Sequence, residues 1–372
     1  MSDNPVDAPG RAPIGAHELL ARAAASDSRA RRVLGVTIDD FFLLDEARLD
    51  ERTRSALGAL IVQLVETVEA ELRAHGVRLL TARGEPAIAA ALTQPRGAVL
   101  LRLAQTGVLR DHEFMAELIA RVRQDALGAA LAMHAPEDPE RPSLLSRFVQ
   151  HPDRVLAAGA MAVLVAESRR RGSAELVQLA QTDLPAELHH RLVWWVAAAM
   201  RARVAEGIHG SLTLLDGALC DAAQRSLGAY DEGDRLEAAA MRFAGAIDPQ
   251  ADELPGLLIE SLGDQRIVLF VAFLAHALGI GYAQARDLVL DPGAERLWLA
   301  LRALELGRDT IAQVGYALCE ANSRRDVEAF ADLLNSILAV GGHAAREAIA
   351  PLRLHPDYRA ALMALERRNP LR

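Results

Sequence analysis

Residues 47–75 read ARLDERTRSALGALIVQLVETVEAELRAH, and this stretch decides the fold class. Leu57, Leu60, Ile61, Leu64, Val65, Val68 and Leu72 recur at intervals of three and four, which stacks them on one face of an α-helix. Asp50 and Glu51 sit where a helix start favours negative charge, and Arg73 sits where its end favours positive charge. Gly76 reads as the stop, so the sequence predicts one helix over Ala47–His75. Its apolar face is wider than one short helix can cover, which makes a two-fold homodimer an expectation.

The flanking sequence continues in the same helical vein. Residues 1–34 are rich in Ala, Asp, Pro and Arg and read as a mobile N-terminal arm. Helices are predicted at Glu85–Leu92, Gly97–Gln105 and Asp111–Met133, the last with Phe114, Leu118, Ile119, Val122 and Leu127 inward. Residues 35–135 therefore form an N-terminal helical subdomain. Pro136, Pro139 and Pro142 fall in an acidic stretch, and 136–143 reads as a Pro-rich linker. Over 144–367, helical segments alternate with short turns, as in stacked helix pairs. Leu184–Leu188 recurs as Leu254–Leu258 at an offset of 70, two units of about 35, a little below the period of HEAT repeats. No alternating Val, Ile or Thr run reads as a strand. The expected fold is all-α, an irregular HEAT-like helical array with an N-terminal helical bundle subdomain.

Composition removes whole mechanisms. The 372 residues carry 41 basic and 50 acidic side chains for a net charge of −9, and every basic one is arginine. Without lysine there is no P-loop, Schiff-base or kinase-type nucleotide chemistry. The acidic balance lacks the clustered positive charge that nucleic acids demand, so no nucleic acid is expected. Cys220 and Cys319 are too few for a zinc cluster or a disulfide framework, and their apolar helical contexts read as core thiols. The apolar run IVLFVAFLAHALGIGYA, Ile267 to Ala283, reads as a helix buried at the centre of the array rather than a membrane span. The first residues lack the basic-then-apolar order of a secretory signal, which makes the cytoplasm the expected location.

Several clusters carry chemistry worth weighing against packing. Asp111, His112, Glu113 and Glu117 are the densest set of potential metal ligands, yet acids at a helix start suit the dipole, so no metal is expected. His151-Pro152-Asp153 and His355-Pro356-Asp357 read as helix starts. Arg169, Arg170 and Arg171 form a candidate anion or partner site, because guanidinium forks suit oxyanions. They equally suit a helix C-terminus. His189 and His190 are candidate phosphoacceptors, although Trp194 and Trp195 beside them point to packing. Phe41 and Phe42, flanked by Asp39, Asp40 and Asp45, form a candidate docking strip, for this chain's own groove or for another protein. No catalytic or cofactor motif is present, and no catalytic residue or cofactor is assigned.

Two stretches carry a family resemblance. DDFFL at 39–43, running into LDERTR at 49–54, and FVAFLAHALGIGYAQARDLVLDPGAERLWLALRALELGRDT at 270–310 resemble proteins grouped as domain of unknown function 2336. The resemblance spans about residues 35–365 and implies an irregular HEAT-type, all-helical protein from the alphaproteobacterial cytoplasm. It implies no activity and transfers no site residue. Taken together, the sequence points to a non-enzymatic helical adaptor or regulatory interaction module with a protein partner. The alternatives are a sensor or phosphotransfer component that binds an anionic ligand, and an all-α enzyme without a recognisable motif.

Overall fold

The computed structural model describes residues 48–93, 98–132, 142–175, 181–206 and 212–367. The chain forms two compact units, Met1–Arg54 and Ser55–Arg372. Among the described residues there are seventeen α-helices and no strand, so the chain is all-α. The expected arm at 1–34 and the docking strip at Phe41 and Phe42 lie outside the described residues.

Helix α1 spans Glu51–Ala82, starting later and ending later than the periodicity predicts. The Asp50 carboxylate accepts from the backbone N–H and the hydroxyl of Thr53, each at 2.7 Å, which supplies the cap. Gly76 lies inside the helix. A Cβ there would come within 3.3 Å of Leu92 Cδ1, so the glycine admits the close approach of α2, Pro86–Leu92, instead of ending α1. Leu57, Leu60, Leu64, Val65, Val68 and Leu72 are buried within the chain, so the predicted apolar face is already covered.

Helices α3, Ala98–Thr106, and α4, His112–Ala132, fall within a residue or so of their predicted bounds. On α4, Phe114, Leu118, Val122 and Leu127 are buried and Ile119 half-buried, as its spacing requires. There follow α5, Leu144–Val149; α6, Arg154–Glu175; α7, Ala186–Ala205; α8, Thr213–Ala229; α9, Leu236–Ile247; and α10, Leu254–Gly263. The rest are α11, Ile267–Leu278; α12, Tyr282–Leu290; α13, Glu295–Ala303; α14, Arg308–Glu320; α15, Val327–Ala339; α16, Gly342–Ile349; and α17, Pro356–Arg367.

The apolar run becomes α11, with ten of its twelve residues buried. Helices α4, α9, α10 and α12 pack around it, so it is the hub of the core. Each fully buried Phe, Leu or Val there contributes on the order of 2 kcal/mol. The run breaks at Gly279, whose φ of +65° is the left-handed value that a helix end reserves for glycine, and α12 leaves at 116°. Among the described residues no single helix is long and apolar enough to cross a membrane. Helix α4 also packs on α12 and α14. The expected linker at 136–143 lies outside the described residues, save for its last two positions.

Arginine does much of the polar work of this fold. A helix leaves its last carbonyls without partners. Arg73 and Arg203 both donate to the Leu92 carbonyl that ends α2, at 3.0 and 3.2 Å. Arg353 reaches the Leu278 carbonyl at the end of α11 at 3.0 Å, and Arg302 reaches Val340 beyond α15 at 3.0 Å. Arg325 spans the end of α12, donating to Val289 at 2.5 Å and Asp291 at 2.7 Å. A rigid fork with five N–H donors suits these diverging carbonyls better than a single ammonium would.

Candidate functional site

Glu117, Arg121 and Gln124 are spaced by four and three on α4, so they share one face beside its apolar stripe. That face meets Arg170 near the end of α6, Thr182 and Asp183 before α7, Arg235 and Glu237 at the start of α9, and Tyr282 and Arg286 on α12. The result is a largely buried ionic network. Glu117 takes Arg286 with both oxygens, at 3.1 and 2.7 Å, and Arg235 at 3.4 Å. Arg170 donates from Nε and Nη2 to Asp183 Oδ2 and from Nη2 to Glu237 Oε1 at 2.6 Å. Glu237 also faces Arg235 at 3.6 Å. Tyr282 donates its hydroxyl to Gln124 Oε1 at 2.7 Å.

The electrostatics follow from these pairings. Burial pushes the Glu237 carboxyl up, but the guanidinium groups of Arg170 and Arg235 outweigh it and hold the group well below the usual carboxylate range. Arg170 is raised well above the usual guanidinium value, because Glu237, Asp183 and Asp125 overcome its burial. Glu237 is thereby held in the charged state, the opposite of what a general acid at neutral pH requires.

Asp183 sits in the left-handed backbone region at φ 56°, a conformation that aspartate tolerates better than most residues. This twist lets one carboxylate serve two elements: Oδ2 accepts from Arg170, and Oδ1 accepts from the Leu236 backbone N–H at 3.3 Å. The first turn of α9 is capped in the process.

The sequence-predicted candidates are distributed through this neighbourhood. Arg170 lies in the network, whereas Arg169 lies at its rim and pairs with Asp234 at 3.2 Å. The side chain of Arg171 lies outside the described residues. His190 is exposed and its Nε2 accepts from Trp194 Nε1 at 3.1 Å. His189 turns inward. It is 4% exposed, meets Thr182 Oγ1 at 2.8 Å through Nδ1 and stacks on Tyr230 at 4.0 Å between ring centres. Burial, and then the charge of His190, lower its pKa to about 4. Burial likewise pushes the Tyr230 hydroxyl up to about 12.

A histidine whose folded pKa lies below its unfolded value contributes stability that is complete above about pH 6.5 and lost as the pH falls toward 4. The loss at His189 should be on the order of 3 kcal/mol across that window. Urea unfolding of the native chain and of His189→Asn at pH 7 and pH 4.5 measures it. A variant that keeps the full pH slope would refute the assignment.

Other expectations resolve locally. Asp111 caps α4 by accepting from the Phe114 N–H at 2.9 Å, Glu113 pairs with Arg191 at 2.6 Å, and Glu117 joins the network. Among the described residues no group of three His, Cys, Asp or Glu side chains is placed to hold a metal. Both His-Pro-Asp copies are helix starts, in which the histidine Nδ1 accepts from the aspartate N–H at 3.1 and 3.3 Å. Cys319 is buried, but Cys220 is exposed, which corrects the expectation that both are core thiols. Helix α8 turns that position outward while its neighbours Leu219 and Ala223 face in.

A family model described as an uncharacterised protein conserved in bacteria matches residues 137–349. The chain belongs to the domain of unknown function 2336 family. The resemblance seen at 270–310 lies inside the matched span, and the one at 39–54 lies outside it. Within this domain of unknown function 2336 chain, the match takes in Arg170, Asp183, Arg235, Glu237, Tyr282 and Arg286 but leaves out Glu117, Arg121 and Gln124. No curated protein and no solved structure matches the chain.

Proposed function

We propose that this protein is a non-enzymatic helical adaptor or regulatory interaction module, an irregular HEAT-like array that binds a protein partner. The observation that supports this reading is an apolar stripe turned outward on α6. Val155, Ala158, Met161 and Val165 recur at helical spacing and are exposed, Val155 by 67% and Met161 by 46%. Exposed apolar side chains aligned along one helix are the usual footprint of a helix-in-groove or helix-on-helix contact. Arg154 and Arg169 are exposed at the two ends of the stripe. A complementary partner is therefore an amphipathic helix whose apolar face is flanked by acidic residues.

Stacked helix pairs such as α5 with α6 and α7 with α8 give such arrays an extended surface, and protein binding is its commonest use by analogy of architecture. Affinity purification of the tagged full chain from its native cells, with Met161→Asp/Val165→Asp in parallel, tests the reading. One partner near stoichiometry is expected with the native chain, and at least a tenfold loss with the variant at unchanged Tm, because surface changes cost little stability. Recovery of the protein alone, or equal recovery by the variant, would overturn it.

A further inference from the structure

Helix α17 turns apolar side chains outward along one side. Tyr358 is 57% and Leu365 68% exposed, with the exposed Ala361 between them. The three positions recur at intervals of three and four, so they fall on one stripe. Leu354, just before the helix, is exposed as well. Scattered apolar residues on a surface are ordinary, whereas an aligned set marks a contact.

The stripe is complementary to itself. It runs large, small, large, from Tyr358 through Ala361 to Leu365. Laid antiparallel on a second copy about an axis between Ala361 and Leu362, Tyr358 of each copy meets Leu365 of the other, as a two-fold interface demands. Ala361 falls at the crossing, where a small side chain lets two helices come close. The charges fit the same alignment. The sequence runs from Asp357 in the first turn of α17 to Arg367 at its end, so antiparallel copies set acid beside base at both ends. Their helix dipoles also run in opposite senses, and a parallel pair would lose both benefits. The outward stripe of α6 has no such symmetry. Arg154 and Arg169 stand at its two ends, so pairing with its own copy in either sense would set arginine against arginine.

We propose that α17 is a homodimer contact, in which two copies of this chain pair antiparallel through Tyr358, Ala361 and Leu365 around a two-fold axis. The apolar face of α1 takes no part, because it is covered within the chain. Three turns against three turns fall short of the ~1,200 Å² that a standard interface buries, so the association is weak and depends on concentration. Each dimer carries two α6 stripes, and the contact does not depend on what those stripes bind.

Sedimentation equilibrium of the full chain, from about 1 µM to about 1 mM, tests the proposal. A reversible monomer–dimer equilibrium is expected, with a dissociation constant on the order of 10–100 µM. Tyr358→Asp/Leu365→Asp should weaken it at least tenfold at unchanged Tm, since both side chains are exposed. Met161→Asp/Val165→Asp on α6 should leave it as it is. Ala361→Cys, in a chain whose exposed thiol is removed by Cys220→Ser, should give a disulfide-linked dimer under mild oxidation, because the axis brings the two positions together. That cross-link decides the matter should the α17 double variant fail to fold. A chain that stays monomeric throughout, growth beyond the dimer, or a dimer lost through the α6 change and kept through the α17 change would overturn the contact.

Discussion

Glu237→Leu should lower the free energy of unfolding by ~3–5 kcal/mol, the cost of leaving an interior charge uncompensated. Glu237 is 4% exposed and answers both Arg170 and Arg235. Its removal leaves Arg170 to Asp183 and Arg235 to Glu117 and Glu232, each guanidinium short of one buried acceptor. The companion Arg170→Met should be comparably harmful alone, because Asp183 and Glu237 both lose their nearest cation and keep only the more distant Arg121 and Arg235. Combined, the two changes should cost much less than their sum, since replacing a buried pair by apolar groups is often near neutral. Urea unfolding of the two single variants and the double variant gives the coupling directly. Strict additivity would show that the contact carries no interaction energy.

Gly315→Ala should also destabilise by about 3 kcal/mol, against the grain of helix propensity. In a helix interior, alanine is normally preferred to glycine by about 1 kcal/mol. Gly315 lies within α14, and a Cβ on it would fall inside the Phe330 ring of α15. Phe330 is itself buried against Trp298, 4.8 Å between ring centres, so it has nowhere to retreat. Thermal unfolding decides, and Gly315→Ala/Phe330→Leu should recover much of the loss. A Tm that rises in the single variant would mean that propensity outweighs packing at this contact.

What the sequence made legible is what periodicity encodes. The apolar face of α1, the inward face of α4 and the buried character of α11 all follow from spacing and hydropathy, and all three are found. The end of α1 was not legible, because Gly76 serves the approach of Leu92, which is a tertiary event that looks like a stop locally. The ionic network was hidden for a similar reason. Glu117 and Arg121, Arg170 and Asp183, Glu237, and Arg286 come from four separate stretches of the chain, and each alone resembles an ordinary surface charge. One signal was available in principle: Glu117, Arg121 and Gln124 recur at helical spacing immediately beside an apolar face, where a solvated stripe is not expected. The arginine triplet at 169–171 identified the right neighbourhood through one residue, Arg170, whose charge is spent internally.

The bidentate pair of Glu117 with Arg286 has a consequence for what counts as one inherited piece. Glu117 and Gln124 precede residue 137, where the family pattern begins, yet they hold Arg286 and Tyr282 from within it. Cut to the recognisable pattern, the chain would keep two interior polar groups whose answering partners had been left on the other side of the cut. What descends as a shared signature in these bacterial proteins is thus shorter than what must cohere as a solid. The boundary drawn by descent and the boundary drawn by cohesion fall on different sides of α4.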